Sequence, residues 1–87
     1  MIYAINYDLN KKGQDYSGLY EFIKKLGDWW HHLDSLWLVN TTYDAEEIVD
    51  AIKEHFDSND RLLVMKLSKD RQGLLTQQAW DWIEEHD

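Results

Sequence analysis

Cysteine and proline are both missing from these 87 residues. Without cysteine there is no disulfide, no thiol nucleophile and no thiolate-held metal. That composition suits a reducing, cytoplasmic setting, which is the compartment expected here. Without proline, nothing in the composition forces a break in a helix or a ladder. No apolar run approaches the ~20 residues of a membrane-spanning helix, so no membrane insertion is expected. No charged segment followed by an apolar one marks a secretory leader.

Positive charge is scarce as well. Nine Lys and Arg stand against seventeen Asp and Glu, for a net charge of −8. Residues 1–43 hold four Lys and five acids, a net of −1, whereas residues 44–87 hold five basic and twelve acidic groups, a net of −7. A nucleic-acid binder usually carries a basic footprint, and the domain as a whole has none. A polyanion would have to meet the near-neutral first half, where Lys11, Lys12, Lys24 and Lys25 lie. Nucleic acid therefore stays an open partner, and the acidity serves solubility in the simplest reading.

What the chain has in quantity is rings. A domain of this size buries only about 60% of its unfolded surface, so large side chains must compensate. Five Trp, five Tyr and two Phe meet that need, because each large ring buries roughly 150–250 Å².

Residues 2–9 read as a strand, with Ile2, Ala4 and Asn6 alternating against Tyr3, Ile5 and Tyr7. Apolar groups on both sides suit a central strand. Residues 10–15 read as a polar loop. Leu19, Phe22, Ile23 and Leu26 form one helical stripe over 16–26, capped by Ser17 or Asp15. Lys24 and Lys25 complement the dipole of its last turn, and Gly27 is expected as a left-handed terminator.

Residues 28–40 are rich in Trp, Leu and Val and read as two short strands around Asp34-Ser35, or as one long bent strand. A second helix over 44–56 opens on Asp44, with Glu47 three residues on in a capping-box arrangement. Its stripe is Ala45, Ile48, Val49, Ile52 and Phe56. Asp57-Ser58-Asn59-Asp60 reads as a turn, 61–67 as a strand, and 68–75 as a loop with a short strand expected at Leu74-Leu75. Residues 77–85 read as a last helix capped by Thr76, with Ala79, Trp80 and Ile83 inward.

The order β-α-β-β-α-β plus a helix predicts one α+β domain, a ferredoxin-like βαββαβ sandwich with an extra C-terminal helix. Two helices would cover one face of the sheet. The other face would expose Tyr, Trp and Leu beyond the usual apolar patch, and a two-fold homodimer stacked sheet on sheet is the expected cover.

Asp8 is the leading chemical candidate. A carboxylate at the end of a first strand, followed by Asn10, Lys11, Lys12 and Gly13, is placed to hold Mg²⁺ or Mn²⁺ or to border a phosphate. A lone Asp supplies one ligand, so catalysis needs a second Asp8 across a dimer axis. The plain alternative is a strand-end Asp bonded to loop N–H groups. His31 and His32 point to opposite faces of a strand and cannot share a metal. His31 is expected near the face that carries Asp8, whereas His55 and His86 are expected on the solvent side. Asp57, Asn59 and Asp60 lack the Gly and Glu of a calcium loop. Asp44, Glu46, Glu47, Asp50 and Glu54 line the outer side of the second helix. They form either a solvated face or a surface for a basic protein partner.

The opening Met1-Ile2-Tyr3-Ala4-Ile5-Asn6-Tyr7-Asp8-Leu9-Asn10 resembles that of the SinR-like small proteins. The resemblance extends through Gly27-Asp28-Trp29-Trp30-His31, Leu33-Asp34-Ser35, Trp37-Leu38-Val39, Ser58-Asn59-Asp60-Arg61-Leu62 and Ala79-Trp80-Asp81-Trp82. The Tyr7-Asp8 pair, Ser35 and the element order are also similar to the CRISPR-associated endonuclease family that forms the dimeric hub of the spacer-integration complex. The resemblance implies a ferredoxin-like homodimer in which facing strand-one aspartates bind a divalent metal. Asp8 takes that position as the catalytic and metal-binding residue, with Ser35 as its weaker neighbour. Ser35, together with Lys11 and Lys12 of the near-neutral first half, makes up the expected substrate-binding groups. Two hub features are missing: an arginine-rich stretch after the first helix, where Asp28, Trp29 and Trp30 stand, and an exchanged C-terminal strand. The resulting expectation is a homodimeric interaction or scaffold protein, with a divalent-metal-dependent endonuclease as the alternative.

Overall fold

The computed structural model describes residues 1–10 and 16–87. Eight elements follow one another: β1 (Ile2–Asp8), α1 (Ser17–Lys24), β2 (Asp28–Leu33), β3 (Leu36–Asn40), α2 (Ala45–Ile52), a 3-10 turn (Lys53–His55), β4 (Arg61–Lys66) and α3 (Gln77–His86). The strands form one sheet in the order β2-β3-β1-β4, with every neighbouring pair antiparallel. The described residues thus form a small α+β fold with a four-stranded antiparallel sheet and three α-helices.

Alternation along β1 divides the core in two. Tyr3, Ile5 and Tyr7 face α1 and α2, packing with Leu19, Ile23, Trp37, Val39, Ile48 and Ile52. Ile2 and Ala4 face the other way, against Trp30, Leu38 and the α3 residues Ala79 and Ile83. The protein's own last helix covers part of this second face, where the sequence reading expects a second copy alone. Trp30 is buried there.

The helix ends follow local chemistry, with two corrections. Asp44 accepts from the Glu47 N–H at 2.9 Å while Glu47 accepts from the Asp44 N–H at 3.1 Å, completing the capping box. Thr76 accepts from the Ala79 N–H and starts α3. At α1, Tyr16 rather than Ser17 holds the cap position, and the Tyr16 side chain makes no capping hydrogen bond. Asp15, the other expected cap, lies outside the described residues. Gly27 does not take the left-handed conformation expected of it. A Cβ at that position would collide with the Asn40 carbonyl, so glycine is needed where the chain passes close to the end of β3. Leu74 and Leu75 form no strand.

Residues 28–40 resolve into the two-strand alternative. The β2–β3 hairpin turns at Asp34-Ser35, and its register shifts between Trp30 and Leu33. Ordinary alternation along β2 sends the two histidines apart. The His31 ring stacks on Trp37 with centroids 3.9 Å apart, whereas His32 lies 5.3 Å from Trp30.

Candidate functional site

Register fixes what lies on the α3 side of the sheet. Trp30, Leu38, Ala4 and Met65 form one cross-strand row, and Leu33, Leu36, Asn6 and Leu63 form the next. Asp8 and Arg61 follow beyond it on the two neighbouring strands. α3 and the chain leading into it cover the first row except at Met65, which is 49% exposed. The second row is open: Leu33 and Leu63 are 43% and 55% exposed, Asn6 is exposed and Leu36 is half-buried.

Helix size explains this half-cover. A helix with its side chains is about 10–12 Å across, while four strands at ~4.8 Å spacing and seven residues at ~3.4 Å rise make a face near 20 Å in each direction. Two helices fill such a face, as α1 and α2 do on the other side, and one leaves about half of it uncovered. Between α3 and the hairpin end lies an apolar groove of about 350 Å³, bordered by Leu33, Leu36, Leu67, Leu74 and Trp80.

Asp8 stands at the margin of this open half. Its side chain is exposed, and it borders a recess of about 180 Å³ with Asn6, Arg61 and Leu63. No hydrogen bond to the Asp8 carboxylate is made among the described residues, and residues 11–15 of the loop whose N–H groups are the expected alternative partners lie outside them. Ser35 approaches only through its main chain: its carbonyl accepts from the Tyr7 N–H at 3.1 Å. No hydrogen bond joins its hydroxyl to Asp8. Lys11 and Lys12 lie outside the described residues. Among the described residues no group of three or more His, Asp or Glu is gathered closely enough to hold a metal ion. Asp8 is accordingly a single ligand in one chain, and any Mg²⁺ or Mn²⁺ there would need ligands from elsewhere.

His31 does not join Asp8. It belongs to the α1–α2 side with Trp37, and its Nδ1 lies 3.0 Å from the Leu36 carbonyl. Alternation from its neighbour Trp30, which faces α3, puts it there. His55 and His86, expected on the solvent side, are half-buried. His86 stacks on Trp82, its Nδ1 lies 2.7 Å from the Trp82 carbonyl, and its Nε2 lies 3.6 Å from Asp28. His55 packs against Phe22.

A buried carboxylate with a structural role is Asp60, within the expected turn. It accepts from the backbone N–H groups of Asn10 at 3.0 Å and Asp57 at 3.1 Å. The Tyr16 hydroxyl reaches it at 3.4 Å. These bonds tie the chain after β1 to the turn before β4. The acidic groups Asp44, Glu46, Glu47, Asp50 and Glu54 are all exposed, which is the arrangement of a solvated helix face.

No protein-family model matches the chain, and no solved structure matches it. No helix among the described residues is long and apolar enough to cross a membrane.

The sequence reading missed the open row. Its signal was the count of helices: three amphipathic helices cannot cover two sheet faces that need about two each.

Proposed function

We propose that this protein is a homodimeric interaction or scaffold module, akin to the SinR-like and CRISPR-associated hub families and working without robust catalysis. Its contact surface is the open half of the sheet and the adjoining β4 edge. The observation that carries this reading is the row Leu33–Leu36–Asn6–Leu63 with Met65 beside it, which leaves Leu33, Leu63 and Met65 exposed on the edge strands and Leu36 half-buried between them. Large apolar groups left exposed on one face mark contact sites where they gather into a patch, and Leu63 and Met65 stand two residues apart on the same face of β4. Read from β4, the strand order is β4-β1-β3-β2, with α1 and α2 together on one face. That order supports a ferredoxin-like βαββαβ unit with α3 as an addition.

The test is light scattering on the wild type and on Leu63→Glu, a change on an exposed side chain that leaves the core intact. The reading expects concentration-dependent self-association that the charge abolishes. A single-chain mass for both proteins at every concentration would refute it.

A second reading is divalent-metal-dependent cleavage of RNA or DNA by Asp8 residues paired across a dimer. Its support is the exposed Asp8 carboxylate with Asn6 and Arg61 beside it. Mg²⁺- or Mn²⁺-dependent cleavage that Asp8→Asn abolishes would establish it. Cleavage unchanged by that substitution, or no cleavage at all, would remove it.

A further inference from the structure

The two edges of the sheet differ. β2 carries the register shift between Trp30 and Leu33, and a bulged edge resists pairing with another strand. β4 has an unbroken register with β1 over all six of its residues. Its middle is Leu62-Leu63-Val64-Met65, with charge only at the ends, Arg61 and Lys66. Such an edge is a ready template for a further strand, and among the described residues none pairs with its outer side.

The direction of each β4 main-chain group follows from one hydrogen bond. The Leu67 N–H donates to the Ile2 carbonyl at 2.9 Å. In an antiparallel ladder, hydrogen-bonded and non-bonded pairs alternate. The odd-numbered residues Met65, Leu63 and Arg61 therefore bond inward to Ala4, Asn6 and Asp8. Leu62, Val64 and Lys66 turn their N–H and C=O groups outward.

We infer that a second copy of this chain pairs with β4 along that edge, antiparallel, with the two-fold axis at Val64. The inference rests on the homodimer reading and names its geometry. Val64 then forms a hydrogen-bonded pair with Val64 of the second copy, and Leu62 pairs with Lys66 of the second copy on each side of the axis. Every outward N–H and C=O of the edge finds a partner. On the α3 side, Leu63 and Met65 each meet the other residue of the second copy, so the two exposed apolar groups of β4 cover one another. Arg61 and Lys66 project to opposite faces, so the charges at the strand ends do not oppose each other. The open rows of the two copies become one continuous surface across an eight-stranded sheet.

This arrangement excludes the paired-aspartate geometry. Asp8 lies opposite Arg61, three residues from the axis, and one strand further from the edge. With a rise of ~3.4 Å and a strand spacing of ~4.8 Å, the two Asp8 Cα atoms stand about 25 Å apart. No single ion bridges that distance. A six-residue edge is also small beside the ~800 Å² per partner of a standard interface, so the dimer is reversible and dissociates on dilution.

Because the chain has no cysteine of its own, single cysteines report the register. A hydrogen-bonded pair has its Cα atoms ~5.5 Å apart, within disulfide reach, whereas atoms beyond ~7 Å are not bridged. Under mild oxidation, Val64→Cys is expected to give a covalent dimer on a non-reducing gel. Leu63→Cys alone and Met65→Cys alone are expected to stay monomeric, and an equimolar mixture of the two is expected to cross-link. The mixture uses exposed positions only, so the test stands even if Val64→Cys disturbs packing. A protein that is dimeric by light scattering but gives no cross-link in either arm would overturn the edge pairing and leave the dimer reading intact. So would Leu63→Cys cross-linking to itself. A single-chain mass at every concentration, with no cross-link, would overturn both.

Discussion

The Trp37 indole donates its Nε1–H to the Tyr7 hydroxyl at 2.9 Å, inside the core between the sheet and the two covering helices. Both side chains are buried, and the bond joins β1 to β3 beyond their ladder. Tyr20 stacks over Trp37 at 6.1 Å, and Trp29 and His31 complete the ring cluster around it. Removing the Tyr7 hydroxyl leaves a buried donor without its acceptor, which costs about 1–3 kcal/mol. Tyr7→Phe is expected to lower the urea midpoint by the corresponding amount with an unchanged slope. A variant as stable as the wild type would show that water reaches this bond.

Tyr7 also sets a limit at alkaline pH. Burial raises its pKa above the ordinary 10.0, opposed by the Trp37 hydrogen bond and reinforced by the nearby Tyr20 and Asp34. The folded state therefore holds this proton more tightly than the unfolded state does. Its contribution to stability is complete below pH 10 and is lost as pH rises through the unfolded value towards the folded one. Denaturant melts from pH 8 to 11 are expected to show falling stability above pH 10, with a smaller fall in Tyr7→Phe. An equal fall in both proteins would assign the effect to other groups.

Two aspartates are predicted to behave in opposite ways. Asp60→Ala deprives the Asn10 and Asp57 N–H groups of their acceptor, and a loss of about 1–3 kcal/mol follows. Asp8→Asn alters an exposed side chain and should change stability by less than about 0.5 kcal/mol. Thermal melts of the two variants side by side test this. A large loss in Asp8→Asn would mean that the carboxylate has a structural partner.

α3 belongs to the core rather than to a detachable tail. Ile83 is 2% exposed and packs with Ile2, Ala4 and Leu38. Ile83→Ala should cost about 2–5 kcal/mol and increase binding of an apolar dye as the second face opens. A shift well under 1 kcal/mol would show that the sheet stands without the helix.

The elements were legible because their signals are local. Asp44 and Glu47 announce a capping box, Thr76 caps α3, and the Leu19–Ile23 spacing marks a buried stripe. The placement of α3 was not legible, because its apolar residues specify burial but not against which surface. The side that His31 takes depends on how β2 pairs with β3, and the need for Gly27 depends on the passage of β3, and both are properties of strand pairing rather than of local sequence. Asp8 and Asp60 look alike as residues at strand ends. Only the tertiary course of the chain decides that Asp60 is enclosed by N–H donors and Asp8 is left in water.

The central claim is that the exposed apolar residues of this sheet bring two copies together. Equilibrium sedimentation over a wide range of concentration measures that directly. The expected mass approaches twice the 10.5 kDa of one chain at the highest concentrations. It should return to one chain on dilution, and at all concentrations in a Leu63→Lys, Met65→Lys double variant. A mass of one chain throughout, or a dimer that survives both lysines, would contradict the account.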